Sequence, residues 1–243
     1  MKLIKIYGER NTNTNYISKL IDLNLDVEEI PGTVPPGVMW LQKILPGNEI
    51  IRDLYFSLTA KKNLGWKHSL VIPELFVDKK NCAFVTITKN PYSWLLSLYK
   101  RPYHQYYSDN NSFEDFLKCS WRTVYRENTK RILFSPIELW NIKNRSYLFL
   151  DSEKTMNITT ESLFSDPARV IENISDKFSI RKKSDIFVNY DRSTKEENKD
   201  SSYYRDFYLT EKWRDDLSSE AIHIINQSVD KKLMSHFGYR LLD

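Results

Sequence analysis

The segment that decides the fold is Tyr7-Gly8-Glu9-Arg10-Asn11-Thr12-Asn13-Thr14-Asn15-Tyr16. It follows residues 3–7, which alternate apolar and polar and predict a β-strand, and it leads into residues 14–23, whose apolar side chains recur at helical spacing. A loop between a strand and a helix presents backbone N–H groups and the positive end of a helix dipole, which together bind anions. The segment therefore predicts an anion-binding loop in an α/β domain.

A second segment of the same kind is Lys89-Asn90-Pro91-Tyr92-Ser93-Trp94-Leu95-Leu96-Ser97. Residues 82–88 before it form a short, mostly apolar run, as expected for a central parallel strand covered on both faces. Pro91 is suited to the first turn of a helix. Two such sites in one small domain indicate a ligand with phosphates at both ends.

Strand and helix patterns alternate along the rest of the chain. Further strands are predicted at 25–30 and 147–150, and further helices at 49–62, 113–119, 129–140 and 167–178, with one last helix that carries Ile222, Ile225, Val229 and Leu233 on one face. The Pro- and Gly-rich stretch 31–47 and the polar stretch 184–202 predict loops. This order predicts an α/β fold, a P-loop-like three-layer αβα sandwich around a central parallel β-sheet, with residues 1–243 as a single domain.

Composition narrows the class of protein. The chain has 243 residues, 41% of them apolar, which is enough for a sizeable core. A net charge of +4 favours an anionic ligand but is too small and too evenly spread to indicate nucleic acid.

Residues 1–6 predict a strand rather than a signal peptide, and no apolar run is long enough to span a membrane. Cys82 and Cys119 form no disulfide or metal pattern. A cytoplasmic enzyme is expected.

The two anion-binding segments do not have the usual nucleotide-binding sequence. An ordinary P-loop ends in Gly-Lys followed by Ser or Thr. This chain contains no Gly-Lys dipeptide. The kinase and ATPase versions of the fold are therefore disfavoured.

The motifs resemble those of the sulfotransferase superfamily instead. That family's first loop has a Ser/Thr-Gly-Thr-x-aromatic core, and Thr12-Asn13-Thr14-Asn15-Tyr16 is similar to it with Asn13 in place of Gly. Asn is one of the few other residues that tolerate a left-handed backbone. In the family this loop holds the 5′-phosphosulfate of the donor, 3′-phosphoadenosine 5′-phosphosulfate (PAPS). The resemblance thus implies PAPS as co-substrate and no metal.

Two more motifs follow in the family's order. The family's second site is Arg-x-Pro with a Ser eight residues after the Arg, and this Ser binds the 3′-phosphate. Here Lys89 takes the place of the Arg, and Ser97 follows at that spacing. A Lys/His segment lies about twenty residues before the second site in the family, and Lys67 and His68 lie in that position, with His68 21 residues before Lys89. The resemblance covers roughly the first hundred residues.

This sequence departs from the family in two places. The first loop normally has a Lys directly before its Ser/Thr, whereas Asn11 stands there, with Arg10 one residue earlier. The resemblance to a bacterial-type branch implies that Arg10 supplies the missing charge. Lys89 keeps the charge of the family's Arg but not its bidentate geometry toward phosphate.

The resemblance assigns roles that the chemistry also requires. Sulfuryl transfer is an in-line displacement, so a base must take the acceptor's proton and cations must stabilise the leaving oxygen. His68 is the expected base, and Lys67 and Arg10 are the expected cations. Arg10, Asn11, Thr12, Asn13, Thr14, Asn15, Tyr16, Lys89 and Ser97 are the expected PAPS-binding residues.

The acceptor side is less readable from the sequence. Tyr103, His104 and Tyr106 lie downstream of the second anion segment, and clustered tyrosines stack readily on sugars or aromatic acceptors. They are the expected acceptor-binding residues, with a carbohydrate or other small-molecule hydroxyl as acceptor. The same tyrosines are also consistent with an exposed surface that binds no acceptor.

Several alternatives stay open on the residues alone. The first segment could be a polar loop capped by Thr12 or Thr14, Ser97 a small helix residue, and His68 a structural histidine. A nucleotide kinase-like phosphotransferase is the alternative enzyme, disfavoured by the missing Gly-Lys. A catalytically degenerate nucleotide-binding module is the other, kept open by Asn11 and Lys89.

Overall fold

A computed structural model of the chain describes residues 2–44, 49–76, 81–102, 112–191 and 200–243. The strands of these residues are β1 (Leu3–Gly8), β2 (Glu28–Glu29), β3 (Cys82–Thr88), β4 (Trp121–Arg122), β5 (Ile132–Leu133) and β6 (Thr155–Thr159). The α-helices are α1 (Thr14–Asn24), α2 (Pro36–Ile44), α3 (Ile50–Asn63), α4 (Pro91–Lys100), α5 (Phe113–Lys118), α6 (Pro136–Tyr147), α7 (Thr160–Ser165), α8 (Pro167–Phe178), α9 (Ser201–Leu209), α10 (Ser219–Ser228) and α11 (Lys231–His236). Short 3-10 helices lie at Pro73–Phe76, Tyr125–Glu127 and Lys212–Asp216.

The main sheet is parallel and has the order β2-β1-β3-β6. Strands β1 and β3 pair in register from Leu3 opposite Cys82 to Gly8 opposite Ile87, so their carboxyl ends lie at the same edge of the sheet. The loops that follow these two strands are therefore neighbours. Strands β4 and β5 form a separate antiparallel pair.

Helices and loops cover both faces of the sheet, which confirms the predicted α/β architecture around a central parallel sheet. Ile4 and Ile6 of β1 pack with α1 and α8 on one face, whereas Tyr7 packs with the end of α6 and the loop at Leu64 on the other. Every residue of β3 is buried, as predicted for a central strand. A third cluster of buried residues lies between α4, α5, α6 and α10.

Gly8 allows the close approach of β1, β3 and α1. A Cβ atom at Gly8 would lie 2.5 Å from the Ile87 side chain and 2.7 Å from that of Thr14. Any larger residue would push the start of α1 away from the sheet. Position 8, within the first predicted anion-binding segment, therefore fits only glycine.

Some predicted elements were wrong. Residues 31–47 were expected to form a loop, but Pro36–Ile44 is helical, because proline is tolerated in the first turn of a helix. The helix predicted at 129–140 begins later, at Pro136, where the Ser135 hydroxyl accepts a hydrogen bond from the Glu138 backbone N–H. The C-terminal helix is two helices, and α11 begins after Asp230, whose side chain caps it.

The strand predicted at 147–150 was also wrong. Tyr147 ends α6, and the buried Leu150 lies in the turn beyond it. The strand that pairs with β3 is Thr155–Thr159, whose sequence is mostly polar. Tyr147 and Leu150 are buried against a face of the sheet without belonging to it, whereas Leu148 and Phe149 between them are exposed.

Candidate functional site

A cavity of about 480 Å³ opens at the carboxyl edge of the sheet, where the loops after β1 and β3 meet. The predicted site residues that line it are Arg10, Asn11, Asn13, Thr14, Asn15, Tyr16, Lys67, His68 and Ser97. Lys89 lies behind Ser97, and Thr12 is buried within the loop. Most of the residues that the sequence singled out separately thus share one cavity.

The first loop has an unusual backbone. Asn11 and Asn13 both have φ of +66°, and a left-handed Asn13 is what the comparison with the family's Gly predicted. Asn13 precedes α1 and makes no side-chain cap, and its buried Nδ2 atom has no hydrogen-bond partner. The first turn of α1 carries no acidic residue. The loop therefore offers amide donors and a helix dipole to an anion without a competing carboxylate.

The two threonines of the first loop lie differently. The Thr12 hydroxyl donates to the Glu9 carbonyl at 2.6 Å and is turned away from the cavity, whereas Thr14 lines it. Two contacts tie the loop to α4. Trp94 Nε1 donates to the Arg10 carbonyl at 2.8 Å, and Asn11 Nδ2 donates to the Ser97 carbonyl at 3.2 Å.

Lys89 and Ser97, the pair expected at the second anion site, contact each other and Tyr208 of α9. Lys89 is fully buried, and its Nζ atom donates to Ser97 Oγ at 2.8 Å and to Tyr208 Oη at 3.1 Å. Ser97 Oγ in turn donates to the Ser93 carbonyl at 2.8 Å. Ser97 is therefore the member of the pair that meets the cavity, and Lys89 supports it from behind.

His68 has the tautomer that a base needs. Its Nδ1 atom lies 2.5 Å from the Gly8 carbonyl oxygen, which can only accept, so Nδ1 carries the proton and Nε2 the lone pair. Burial lowers the pKa of His68 well below its usual value, and the nearby charge of Lys67 lowers it further, against the opposing effect of the Gly8 hydrogen bond. The imidazole is therefore neutral at physiological pH, with its lone pair on Nε2.

Lys67 and His68 are held against β1 by their backbone. The Gly8 N–H donates to the Lys67 carbonyl at 2.9 Å. The segment before them is fixed by buried Lys5, whose Nζ atom donates to the carbonyls of Asn63 at 2.6 Å and Gly65 at 2.9 Å. The Lys67 side chain reaches the first loop, where Nζ donates to Asn15 Oδ1 at 2.5 Å.

Arg10 belongs to a buried ionic network below the cavity. Its guanidinium binds Glu127 and lies 3.5 Å from Glu9 Oε1. Lys143 Nζ lies 3.1 Å from Glu9 Oε2 and 3.2 Å from Glu127 Oε2, and also donates to the His68 carbonyl. The positive charges of Arg10 and Lys143 thus balance the negative charges of the two glutamates. Arg10 lines the cavity with much of its charge already compensated.

Three side chains that were not predicted from the sequence also line the cavity: Trp66, Arg52 and Arg126. Trp66 lies edge-on to His68, with ring centroids 4.9 Å apart, and the guanidinium carbons of Arg10 and Arg126 lie 5.1 and 4.4 Å from the Trp66 ring centroid. Arg52 lines the cavity, and its buried Nε atom has no hydrogen-bond partner. Arg52 and Arg126 carry no motif that the sequence alone could reveal.

Aromatic side chains of α9 form another wall that the sequence analysis missed. Tyr203, Tyr204, Phe207 and Tyr208 line the cavity opposite the first loop, and Phe164 packs against Tyr16 and Tyr208. Their spacing at 203, 204, 207 and 208 is helical, and this signal could have been found. The wall gives planar groups surfaces for stacking.

The remaining predictions concern the acceptor-binding residues, a metal site and a membrane-spanning helix. Tyr103, His104 and Tyr106, the expected acceptor-binding residues, lie outside the described residues. Over the described ranges, no three His, Cys, Asp or Glu side chains are grouped so as to hold a metal ion. No helix within those ranges is both long and apolar enough to cross a bilayer.

Solved structures similar to this chain include two sulfotransferase domains. The "Sulfotransferase Domain from the Curacin Biosynthetic Pathway" is 12% identical, with a TM-score of 0.44, over 99% of each chain. The "Sulfotransferase Domain from the Synechococcus PCC 7002 Olefin Synthase" is 12% identical, with a TM-score of 0.46, over 93% of each chain. No family model matches this chain, and no curated protein does.

Proposed function

We propose that this chain is a cytoplasmic sulfotransferase of one domain, residues 1–243, that moves a sulfuryl group from PAPS to an acceptor hydroxyl. The observation that carries the proposal is the composition of one cavity: a left-handed Asn loop at a helix N-terminus, Ser97 at the second strand end, and a neutral His68 all line it. These groups suit the two phosphate ends of the donor and the base that the transfer needs.

The residues of the cavity fit such a donor. Its volume of about 480 Å³ lies within the usual range for small-molecule sites. Among the described residues that line it, cations outnumber carboxylates: the cations are Arg10, Arg52, Lys67, Lys100, Arg101 and Arg126, and the acid is Asp200. The unpartnered Nδ2 of Asn13 and Nε of Arg52 are donors that an anionic ligand would satisfy. In this proposal the 11–16 loop holds the 5′-phosphate, and Ser97, backed by Lys89, holds the 3′-phosphate.

The residues divide the chemistry in the following way. PAPS supplies a sulfuryl group on a bridging oxygen of its 5′-phosphate; in the transfer the acceptor oxygen–sulfur bond forms and the bridging oxygen–sulfur bond breaks. His68 accepts the acceptor's hydroxyl proton at Nε2, while Nδ1 stays bonded to Gly8. In this proposal Lys67 stabilises the leaving oxygen, and its hydrogen bond to Asn15 of the loop supports that role. Arg10 adds a second, partly compensated charge.

The proposed acceptor is a small molecule or glycan with a free hydroxyl. The aromatic wall of α9 provides stacking surfaces for a sugar or an aromatic ring. Tyr103, His104 and Tyr106 remain part of this proposal as acceptor-binding residues.

One observation favours a second candidate, a nucleotide-binding module without catalysis. The charge of Arg10 is compensated by Glu9 and Glu127, and that residue is the proposed replacement for the family's loop Lys. A module of this kind would bind the bisphosphate nucleotide and lack turnover. The kinase-like alternative has no observation in its favour.

Calorimetry and turnover together test these candidates. Adenosine 3′,5′-bisphosphate should bind in the presence of a metal chelator, and ATP should not replace it. Transfer of radiolabelled sulfate from PAPS to members of a panel of sugar, phenol and alkyl alcohols should follow. Magnesium-dependent binding of ATP in place of the bisphosphate would point to a kinase. Bisphosphate binding without transfer to any acceptor would point to the module.

A further inference from the structure

Helices α2 and α3 carry several exposed apolar side chains that the proposed function does not use. They are Met39, Trp40, Leu41 and Ile44 of α2 and Ile50, Leu54 and Leu58 of α3. We name these seven side chains the α2–α3 surface. Trp40 is 62% and Leu58 76% exposed. An exposed cluster of this kind marks an interaction site more often than an inert surface.

The apolar residues of α3 form a row along one side of the helix. Ile50, Leu54 and Leu58 follow one another at intervals of four residues, and Lys61 and Lys62 continue the row one turn further on. Tyr125, 63% exposed, lies beside α3, with its backbone N–H bonded to Asp53. Trp and Tyr at the rim of an apolar face, with lysines next to it, are typical of helices that lie in a lipid headgroup layer.

The exposed charges beside the α2–α3 surface on these two helices are positive. Its acids, Glu49 and Asp53, both turn inward to the Arg126 guanidinium, at 2.7 and 2.8 Å, and are largely buried. Lys61 and Lys62 are exposed at the end of α3. The described part of α2 and α3 therefore presents no exposed carboxylate beside its apolar side chains. That charge is complementary to an anionic surface.

Arg126, which binds both of these acids, also connects the α2–α3 surface to the cavity. Arg126 lines the cavity and binds the first turn of α3, and Arg52, also on α3, lines the cavity as well. The helix thus has one side in the cavity wall and another side apolar and exposed. A surface bound by α3 would lie near the Arg52 end of the cavity.

We propose that the α2–α3 surface docks on an anionic lipid bilayer as a peripheral contact. Trp40, Leu54 and Leu58 insert among the headgroups, and Lys61 and Lys62 pair with anionic lipids. The proposal does not depend on the proposed function, because it concerns binding to the bilayer alone.

Flotation of the intact protein with vesicles tests it. Binding should be clear with vesicles of phosphatidylcholine and phosphatidylglycerol, weaker with phosphatidylcholine alone, and reduced by salt. Leu58→Glu should lower the vesicle partition coefficient about tenfold or more, because an inserted Leu is lost. Lys61→Gln with Lys62→Gln should remove the preference for phosphatidylglycerol. Ile186→Glu is the matched control, since Ile186 is 77% exposed and lies on another part of the molecule.

The outcomes separate the candidate occupants of this surface. No flotation with either vesicle overturns the proposal, and so does flotation that Leu58→Glu leaves unchanged. A dimer seen by light scattering, lost in Leu58→Glu and accompanied by no flotation, would assign the surface to a second copy of the chain instead. The unfolding midpoint in denaturant, measured on every variant, reports folding and does not depend on the proposed function.

Discussion

The Nζ atom of Lys89 lies 2.8 Å from the Oγ atom of Ser97, and the same nitrogen reaches Tyr208 Oη at 3.1 Å. The sequence placed Lys89 and Ser97 at one phosphate only through their spacing. Their contact joins the end of β3 to the second turn of α4 and to α9. A ligand that binds Ser97 would thereby be coupled to the buried cation behind it.

Ser97→Ala should weaken binding of adenosine 3′,5′-bisphosphate about tenfold or more, because a hydrogen bond from a hydroxyl to an anion contributes about 1.5–3 kcal/mol. Calorimetry measures this directly. Ser57→Ala is a matched control, since the Ser57 hydroxyl also donates to the carbonyl four residues earlier, at 2.9 Å, on an exposed helix. Equal affinity of wild type and Ser97→Ala, or of ligands with and without the 3′-phosphate, contradicts the assignment.

His68→Ala should reduce turnover roughly 10²–10⁴-fold, the usual contribution of a positioned general base. Affinity for the bisphosphate should change little, because the proposed base acts on the acceptor. His223→Ala is the control, since His223 is exposed on α10 and bonded to Gln227. Normal turnover in His68→Ala would remove His68 from the mechanism and make His104 the next candidate.

The pH dependence should reflect the neutral state of His68. Because its folded-state pKa lies well below the ordinary 6.5, the base form persists through neutral pH and is lost only as pH falls through the lowered pKa. Protonation opposes folding, so the free energy of unfolding should decline below about pH 6.5, where the unfolded histidine gains a proton, and be unaffected by this group above it. The measurement is the turnover of wild type as a function of pH. A fall in turnover toward acid pH that is due to His68 and is centred at or above pH 6.5 would contradict this.

Asn13→Val should lower stability by about 1–2 kcal/mol and weaken bisphosphate binding, because a β-branched residue resists the left-handed backbone at φ of +66°. Asn13→Gly should retain the fold and most of the binding, since Gly adopts that backbone freely. Denaturant unfolding and calorimetry on the two variants give the comparison. Similar losses in both would assign the effect to the Asn13 side chain and its Nδ2 donor instead.

Lys143→Met should destabilise the protein by about 3–5 kcal/mol, because it leaves Glu9 and Glu127 buried with an excess of negative charge. Lys154→Met is a control at a partly exposed lysine paired with Asp151 at 3.8 Å, and its unfolding midpoint should stay near that of wild type. If both variants unfolded at the same denaturant concentration, removal of Lys143 would leave no uncompensated charge in the network, and the prediction would be contradicted.

The sequence was informative where local chemistry dictates structure. The turn after β1, the proline at the start of α4 and the apolar run of β3 each depend on neighbouring residues, and each was predicted. The misplaced strand at 147–150 failed because burial alone does not distinguish a packed helix end from a strand. The mostly polar β6 gave no signal, since its place in the sheet is set by pairing with β3.

The site followed the same division. Asn13 and His68 each belong to a short motif, and the motifs were enough to single out both residues, which line one cavity. Arg126 and Glu127 could not, because their position depends on how the segment after β4 folds back beneath Trp66 and Arg10. Long-range ionic contacts of this kind have no spacing rule in the sequence.

The tryptophans differ sharply in their surroundings. Trp94, Trp121, Trp140 and Trp213 are almost entirely enclosed, whereas Trp40 of α2 is 62% exposed. Acrylamide should therefore quench the emission of Trp40 much more readily than that of the enclosed four. Emission from an inserted Trp40 would shift to shorter wavelength and lose this quenching, so unlabelled protein can report optically whether α2 is in water or covered.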